Sequence, residues 1–131
     1  MDVPDTDARC DERPRRGRMG RMLWACRYTT AGLLHALRTE HAFQEEAIVL
    51  VLVVLPGAFL LGHTRVERLL MIACWLLVMI VELLNTSIET VIDRIGSEHH
   101  ELSGHAKDLG SAAVGISIAL AGLTWALILL P

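Results

Sequence analysis

The sequence predicts an all-α membrane protein with three transmembrane helices and an N-terminal amphipathic surface helix. Hydrophobic residues make up 53% of the 131 residues, and the mean hydropathy is +0.44. Both values exceed those of an ordinary soluble domain of this size. Only 5% of the residues are aromatic, so the apolar content is aliphatic, as in helices that cross lipid. Three long apolar runs supply the spans.

Residues 1–18 mix charge with proline and glycine and contain no apolar run, so we expect a disordered polar tail and no signal peptide. Residues 19–131 are expected to form one membrane domain. Its first element is a surface helix over 19–39, since apolar residues recur there at three- and four-residue spacing while arginines fall on other faces. A helix packed in a bundle is the alternative interpretation.

The three apolar runs predict spans over 42–61, 68–95 and 110–130. A bilayer core needs roughly 20 residues of helix, and the middle run reaches that length only by continuing through charged residues. Pro56-Gly57 is expected to kink or end the first span. The residues between the second and third spans, 93–111, are expected to form a polar loop.

Arginines are distributed unevenly around these runs, and their distribution predicts the orientation. Eight of them precede the first span, among them Arg13, Arg15, Arg16, Arg18, Arg21 and Arg27, whereas only Arg65 and Arg68 lie between the first and second spans. The positive-inside rule therefore predicts a multi-pass protein whose N-terminus and 93–111 loop are cytoplasmic. A nucleic-acid patch is the alternative for the arginine cluster, but beside three spans we expect no nucleic-acid partner.

A polar stripe interrupts the middle span in VELLNTSIETVIDRI, residues 81–95. Glu82, Asn85, Glu89 and Asp93 fall within about 80° of one another on a helix. Carboxylates at membrane depth are costly and usually face a protein interior, pair with another group, or bind a cation. Interhelical hydrogen bonding would explain the amide, but two glutamates repel each other unless something positive lies nearby. Asp93 is expected to pair with Arg94 or solvent, or to join the site.

The following segment, GSEHHELSGHAKDLGSAAV at 96–114, supplies a cation, carboxylates and glycines. Lys107 beside Asp108 would suit a phosphate-bearing ligand, although a solvated polar loop is the alternative. A zinc site built from the histidines lacks any accompanying cysteine or HExxH spacing. No GxxxxGK[ST] or GxGxxG motif is present, so a nucleotide would require Mg²⁺ held by carboxylates.

The stretch from Val81 to Val114 resembles the signature region of the small prokaryotic diacylglycerol kinases, and a looser resemblance covers 21–46 through GRMLWACRY and EHAFQEE. The resemblance implies a homotrimer in the bacterial inner (cytoplasmic) membrane, with three transmembrane helices and a surface helix in each chain. Such enzymes transfer the γ-phosphate of MgATP to the hydroxyl of diacylglycerol, giving phosphatidic acid. Diacylglycerol, ATP, Mg²⁺ and membrane lipids are therefore the implied ligands.

The resemblance also assigns roles by position. It implies that Glu82 is the general base, that Asn85 positions the reacting groups, and that Glu40 and Glu89 bind Mg²⁺. It implies ATP contacts for Arg21, Tyr28, Glu40, Glu89, Glu98, His99, His100, Lys107 and Asp108, and lipid-substrate contacts for Glu82, Ser111, Arg68, Ala42 and Glu46.

Two departures from the family pattern bear on the lipid. Segment 29–37 lacks the tryptophan and lysine expected of the enterobacterial type, and His105 stands where an arginine is usual. Undecaprenol kinases share the glutamate–asparagine stripe, but the 96–114 segment favours diacylglycerol. A membrane scaffold or ion-conducting oligomer, with the stripe lining a polar path, is the alternative from another class.

Overall fold

The computed structural model describes residues 18–96 and 100–130, and within them every regular element is helical. The predicted all-α class is confirmed. The chain divides into two compact units, one up to Leu34 and one from His35 onward, each considered by itself below. The elements are α1 (Arg18–Thr39), α2 (His41–Val49), a π-helical turn (Leu50–Val54), α3 (Leu55–Leu61), α4 (Arg65–Ile95) and α5 (Glu101–Leu129).

The described part of the first unit is helix α1 up to Leu34. Its long apolar side chains, Met19 and Leu23 among them, are exposed. Two neighbouring side chains contact the Trp24 ring on the helix surface. The Arg27 guanidinium lies 5.0 Å from the ring centroid of Trp24, and the ring centroid of Tyr28 lies 5.6 Å from that of Trp24. Aromatic and cationic groups beside exposed apolar residues are typical of a helix at a membrane surface.

The first membrane-crossing helix of the second unit runs from His41 to Leu61. It begins after Glu40, whose extended backbone separates α1 from α2. The helix does not end at Pro56, contrary to one of the two predicted outcomes. Instead, a π-helical turn ends at Val54, two residues before the proline, which has no N–H to donate and whose ring crowds the preceding turn. Only at Gly62 does the backbone become extended.

Helix α4 begins at Arg65, earlier than the predicted residue 68, because Thr64 and Glu67 form a capping box. The Thr64 hydroxyl accepts from the Glu67 backbone N–H at 3.1 Å, and the Glu67 carboxylate accepts from the Thr64 N–H at 3.2 Å. Such a cap stabilises a helix start by roughly 1 kcal/mol. The T-x-x-E spacing of Thr64 and Glu67 is the sequence pattern typical of a capping box.

Helix α5 begins at Glu101, so most of the predicted 93–111 loop is helical. His100 caps it, with Nδ1 accepting from the Leu102 N–H at 3.2 Å. The glycines and polar residues of this segment suggested a loop, but packing of α5 along α4 outweighs their weak helix propensity. Lys107, Asp108 and Ser111 therefore lie on a rigid helix.

Helix α4 is the central element of the second unit and packs against α2, α3 and α5. One apolar cluster is formed by Ala36, Phe43 and Met79, and a second by Cys74, Val78 and Ala121. Trp75 packs against both. Three helices, His41–Leu61, Arg65–Ile95 and Glu101–Leu129, are long and apolar enough to cross a membrane, in agreement with the three predicted spans.

Two tryptophans join α4 to its neighbours through indole N–H groups. Trp75 on α4 donates to the Glu46 carbonyl at 3.0 Å, and Trp125 on α5 donates to the Met71 carbonyl at 3.1 Å. A Cβ placed on Gly57 would lie 2.7 Å from the Trp125 ring, so a glycine is needed where α3 passes that ring. These bonds fix which residues of α2 and α5 face α4.

We expect Trp75→Phe to lower the free energy of unfolding by about 1 kcal/mol, because the ring continues to pack while the bond to the Glu46 carbonyl is lost. Unfolding by SDS titration from mixed micelles measures the change. Leu76→Ala, at the adjacent exposed position, is the control and should shift stability by no more than about 0.5 kcal/mol. An equal loss in the two variants would contradict the expectation.

Candidate active site

The polar stripe of α4 faces the interior of the second unit. Glu82 and Asn85 are each 8% exposed, Glu89 is half-buried, and Asp93 at the helix end is exposed. Turning the stripe toward protein keeps its charged and amide groups away from lipid, as the cost of burying charge in hydrocarbon requires. The apolar residues Leu84 and Ile88 between them are exposed instead.

Asn85 is held in one orientation by its neighbour one turn later. Its Nδ2 donates to Glu89 Oε1 at 3.2 Å. The other end of the amide, Oδ1, is buried and has no hydrogen-bond partner within the described part of the chain. A buried amide oxygen normally accepts a hydrogen bond, so an atom enclosed without one needs a structural explanation. Asn85 thus fixes one oxygen of Glu89 while its own Oδ1 is enclosed by protein.

A group of carboxylates surrounds Glu82. The charges of Glu40 and Glu89 lie close enough to interact with that of Glu82, and Glu46 on α2 interacts with Glu82 as well. Glu40 lies at the junction of α1 and α2, where its Oε1 accepts from the Thr39 hydroxyl at 3.1 Å. Like charges gathered in a partly buried place require a proton or a cation to offset their repulsion.

Lys107 supplies positive charge at the end of the stripe. Its Nζ lies 2.7 Å from Asp93 Oδ1, and its charge also interacts with that of Glu89. The expected partner Arg94 is therefore not the one observed: Lys107 on α5 pairs with Asp93, whose side chain is also exposed to solvent as expected. Both side chains are well exposed, 42% for Lys107 and 67% for Asp93, and such surface pairs are weak. A phosphate could displace the aspartate.

The remaining candidates on the second unit are distributed along α2 and α5. Glu46 is half-buried, and its Oε2 is buried without a partner among the described residues. Ala42 on α2 and Ser111 and Asp108 on α5 are exposed. His100, the N-cap of α5, uses Nδ1 for that cap. Ala42, Asp108 and Ser111 are available to a ligand at the surface, and no side-chain hydrogen bond within residues 18–96 and 100–130 defines a role for them.

Arg68 lies far from the other residues predicted to bind the lipid substrate. It lies near the start of α4, about 21 Å along the helix axis from Glu82 at ~1.5 Å per residue. Its Nε donates to the Gly62 carbonyl at 2.9 Å, and its guanidinium lies 5.8 Å from the Phe59 ring centroid. These contacts give Arg68 a structural use at the turn between α3 and α4.

For four of the predicted ATP-binding residues, the structure gives no position relative to the carboxylates around Glu82. Arg21 and Tyr28 belong to the first unit, where both are exposed. Glu98 and His99 lie outside the described residues. The ATP contacts assigned to all four stay predictions.

The carboxylates fit a magnesium ion that is bound together with phosphates. Mg²⁺ is commonly held by one or two carboxylates plus substrate phosphates and water. Asn85 orients Glu89, and the charges of Glu40 and Glu89 both interact with that of Glu82, so two hard-oxygen ligands are available. Among residues 18–96 and 100–130 there is no group of three His, Cys, Asp or Glu side chains that could hold a metal alone.

The sequence reading missed Gly110, a buried residue of α5 that faces Asn85. A glycine inside a helix was the available signal. Beside this contact an open groove with a volume of about 430 Å³ lies between α4 and α5. Its lining is apolar apart from the asparagine and consists of Val81, Leu84, Asn85, Ile88, Ala106, Leu109, Gly110 and Ala113. An apolar lining next to one amide suits a lipid chain with a polar head.

Comparison with known proteins gives one consistent result. The sequence pattern of the family "Prokaryotic diacylglycerol kinase" matches residues 27–129. A diacylglycerol kinase of Haemophilus influenzae is 50% identical over 99 residues, covering 76% of this chain and 83% of that protein. One of Pseudomonas aeruginosa is 49% identical over 119 residues (89% and 96%), and one of Escherichia coli K12 is 48% identical over 109 residues (83% and 88%).

We expect Asp93→Asn to change the free energy of unfolding by less than about 1 kcal/mol, because its pair with Lys107 is exposed to solvent. SDS titration of the wild-type and variant proteins measures this. Ser87→Ala, at an exposed position of the same helix, is the control. A loss well above that limit would mean that the ion pair is a structural element and not a displaceable contact.

Proposed function

The chain belongs to the prokaryotic diacylglycerol kinase family, and on that basis we propose that it transfers the γ-phosphate of ATP to the free hydroxyl of diacylglycerol, giving phosphatidic acid and ADP. It is a lipid kinase, an enzyme that phosphorylates an alcohol group. The observation that carries the proposed reaction is the buried Glu82–Asn85–Glu89 stripe within a membrane-crossing helix. Charged and amide groups at membrane depth are costly and mark functional sites, and a reaction between a lipid alcohol and a charged phosphate donor makes use of them.

Glu82 is the proposed general base. The lipid hydroxyl gives its proton to the Glu82 carboxylate as its oxygen bonds to the γ-phosphorus, and the bond from that phosphorus to the bridging oxygen of ADP breaks. Its position supports this role, because Glu82 is buried within a membrane-crossing helix and a general base must lie within hydrogen-bond reach of the hydroxyl that it deprotonates. The groove beside Asn85 would accommodate an acyl chain of the substrate.

Glu40 and Glu89 are the proposed magnesium ligands. The ion, when bound, neutralises charge on the phosphates during transfer. Asn85 supports this role by holding Glu89 through Nδ2, which fixes the carboxylate before the nucleotide arrives. Lys107 would exchange Asp93 for a phosphate oxygen, since its present partner is held only by an exposed ion pair.

The other assignments follow from family membership and position. ATP would also contact Arg21, Tyr28, Glu98, His99, His100 and Asp108, and the lipid would contact Ala42, Glu46 and Ser111. For Arg68 the distance from Glu82 argues against a role at the reacting hydroxyl, although contact with membrane lipid at its own end of α4 is compatible with its position.

A homotrimer in the bacterial inner membrane, with the N-terminus cytoplasmic, completes the proposal. The three membrane-crossing helices leave many large apolar side chains exposed, which partner chains and lipid would cover. The excess of arginine before the first span supports the orientation.

The substrate is tested in mixed micelles containing labelled ATP, with diacylglycerol and undecaprenol offered separately. Labelling of undecaprenol alone would overturn it.

We expect Glu82→Gln to lower kcat by at least about 100-fold, because the amide cannot take the hydroxyl proton. Transfer of labelled phosphate to diacylglycerol in mixed micelles, with and without Mg²⁺, is the measurement. Glu45→Gln removes a carboxylate from an exposed position of α2 and serves as the matched control, with full activity expected. Turnover by Glu82→Gln at the control rate would exclude Glu82 as the base.

We expect Lys107→Ala to raise the KM for ATP by about 10- to 100-fold while leaving the KM for lipid nearly unchanged, because a charge-assisted hydrogen bond to phosphate is lost. Initial rates at varied ATP and fixed diacylglycerol give the two constants. Arg94→Ala removes a neighbouring exposed cation and should have little effect. An unchanged KM for ATP in Lys107→Ala would rule out a phosphate contact.

A further inference from the structure

Helix α5 approaches α4 most tightly where Gly110 faces Asn85. We infer that Gly110 is a positioning residue for the kinase reaction: the absence of a side chain there lets the Asn85 carboxamide stay where it holds Glu89. The inference rests on the proposed roles of Asn85 and Glu89. Gly110 lies on α5, whereas Asn85 and Glu89 lie on α4. The inference therefore makes phosphate transfer depend on a residue that has no side chain to offer.

The geometry of the contact is specific. A Cβ built on Gly110 would overlap Asn85 Oδ1 and lie 3.3 Å from Asn85 Cγ. Gly110 is itself buried, so the backbones have little freedom to separate. The hydrogen on the Gly110 Cα that a Cβ would replace therefore points at Oδ1. Such C–H···O contacts recur where helices pack closely.

The other glycines of α5 are different. A Cβ at Gly104, Gly115 or Gly122 would have no atom within 4 Å among the described residues. Glycine lowers helix stability relative to alanine at any interior position, and only at Gly110 does packing against α4 explain its presence. The contrast gives matched controls on the same helix.

Asn85 cannot move aside without consequence. Its side chain is 8% exposed, and its Nδ2 donates to Glu89 at 3.2 Å. A methyl group at position 110 would push Oδ1 away and rotate or shift the whole planar amide, which would break the bond to Glu89. The protein would still fold, because the atom that must move is the end of a side chain, but a proposed magnesium ligand would lose its support.

Gly110→Ala and Gly115→Ala test the inference in the full-length protein. In the micelle assay with MgATP and diacylglycerol we expect kcat of Gly110→Ala to fall at least about tenfold, with the KM for diacylglycerol within about twofold of wild type. Gly115→Ala should match wild type in both constants. Full activity in Gly110→Ala would overturn the inference.

A double-mutant cycle with Asn85→Ala separates positioning from a general packing defect. Each variant's thermal midpoint is measured in micelles without substrate. Gly110→Ala should lower the midpoint when Asn85 is present and raise it slightly when Asn85→Ala has made room for the methyl group, because alanine then only favours the helix. The same loss in both backgrounds would overturn the inference, because Gly110 would then not act through Asn85.

The two assays keep this inference distinct from the proposed function. A wild-type protein that phosphorylates no diacylglycerol would overturn the proposed reaction, and the thermal cycle would still decide whether Gly110 acts on Asn85. Both the proposed reaction and the role of Gly110 would be supported by one set of results. Wild type and Gly115→Ala would be active, Gly110→Ala would be impaired, and the effect of Gly110→Ala on the thermal midpoint would depend on Asn85.

Discussion

The burial of carboxylates inside a membrane-crossing helix is the constraint on which the rest of this fold depends. Glu82 and Asn85 are almost fully covered by protein, and lipid cannot solvate such groups. The second unit must therefore surround one face of α4 with helices while leaving its other faces to lipid. That requirement gives α4 its central place, with α2 and α3 on one part of its surface and α5 on another.

The links between helices hold that face in register. Trp75 joins α4 to the carbonyl of Glu46, Trp125 joins α5 to the carbonyl of Met71, and Lys107 meets Asp93 across α4 and α5. The first two are partly buried and form a stable framework, whereas the third is exposed to solvent and is easily exchanged. Helices α4 and α5 are thus joined by a partly buried bond at Met71 and by a replaceable ion pair at Asp93.

Much of this arrangement could be predicted from the chain, because a helix fixes the directions of its side chains. Glu82, Asn85 and Glu89 had to share a face, and membrane energetics required that face to be covered. The start of α5 was missed because His100 and Gly104 look like loop residues when packing against α4 is ignored. Gly110 was missed for a related reason: its contact with Asn85 depends on how two helices are rotated against each other, and local periodicity does not contain that information. The separation of Arg68 from Glu82 follows from the length of a single helix and was overlooked when roles were assigned by resemblance.

The π-helical turn at Leu50–Val54 has a consequence for how this chain can vary. One additional residue in a turn rotates everything after it by about 100° relative to an unbroken α-helix. Glu46 lies before the turn and Ala58 after it, within one continuous span. The rotation about the helix axis between these two residues therefore differs from that in an unbroken α-helix. The π-helical turn therefore determines which side chains of α3 face α4, while the position of Glu46 is set by α2 before the turn.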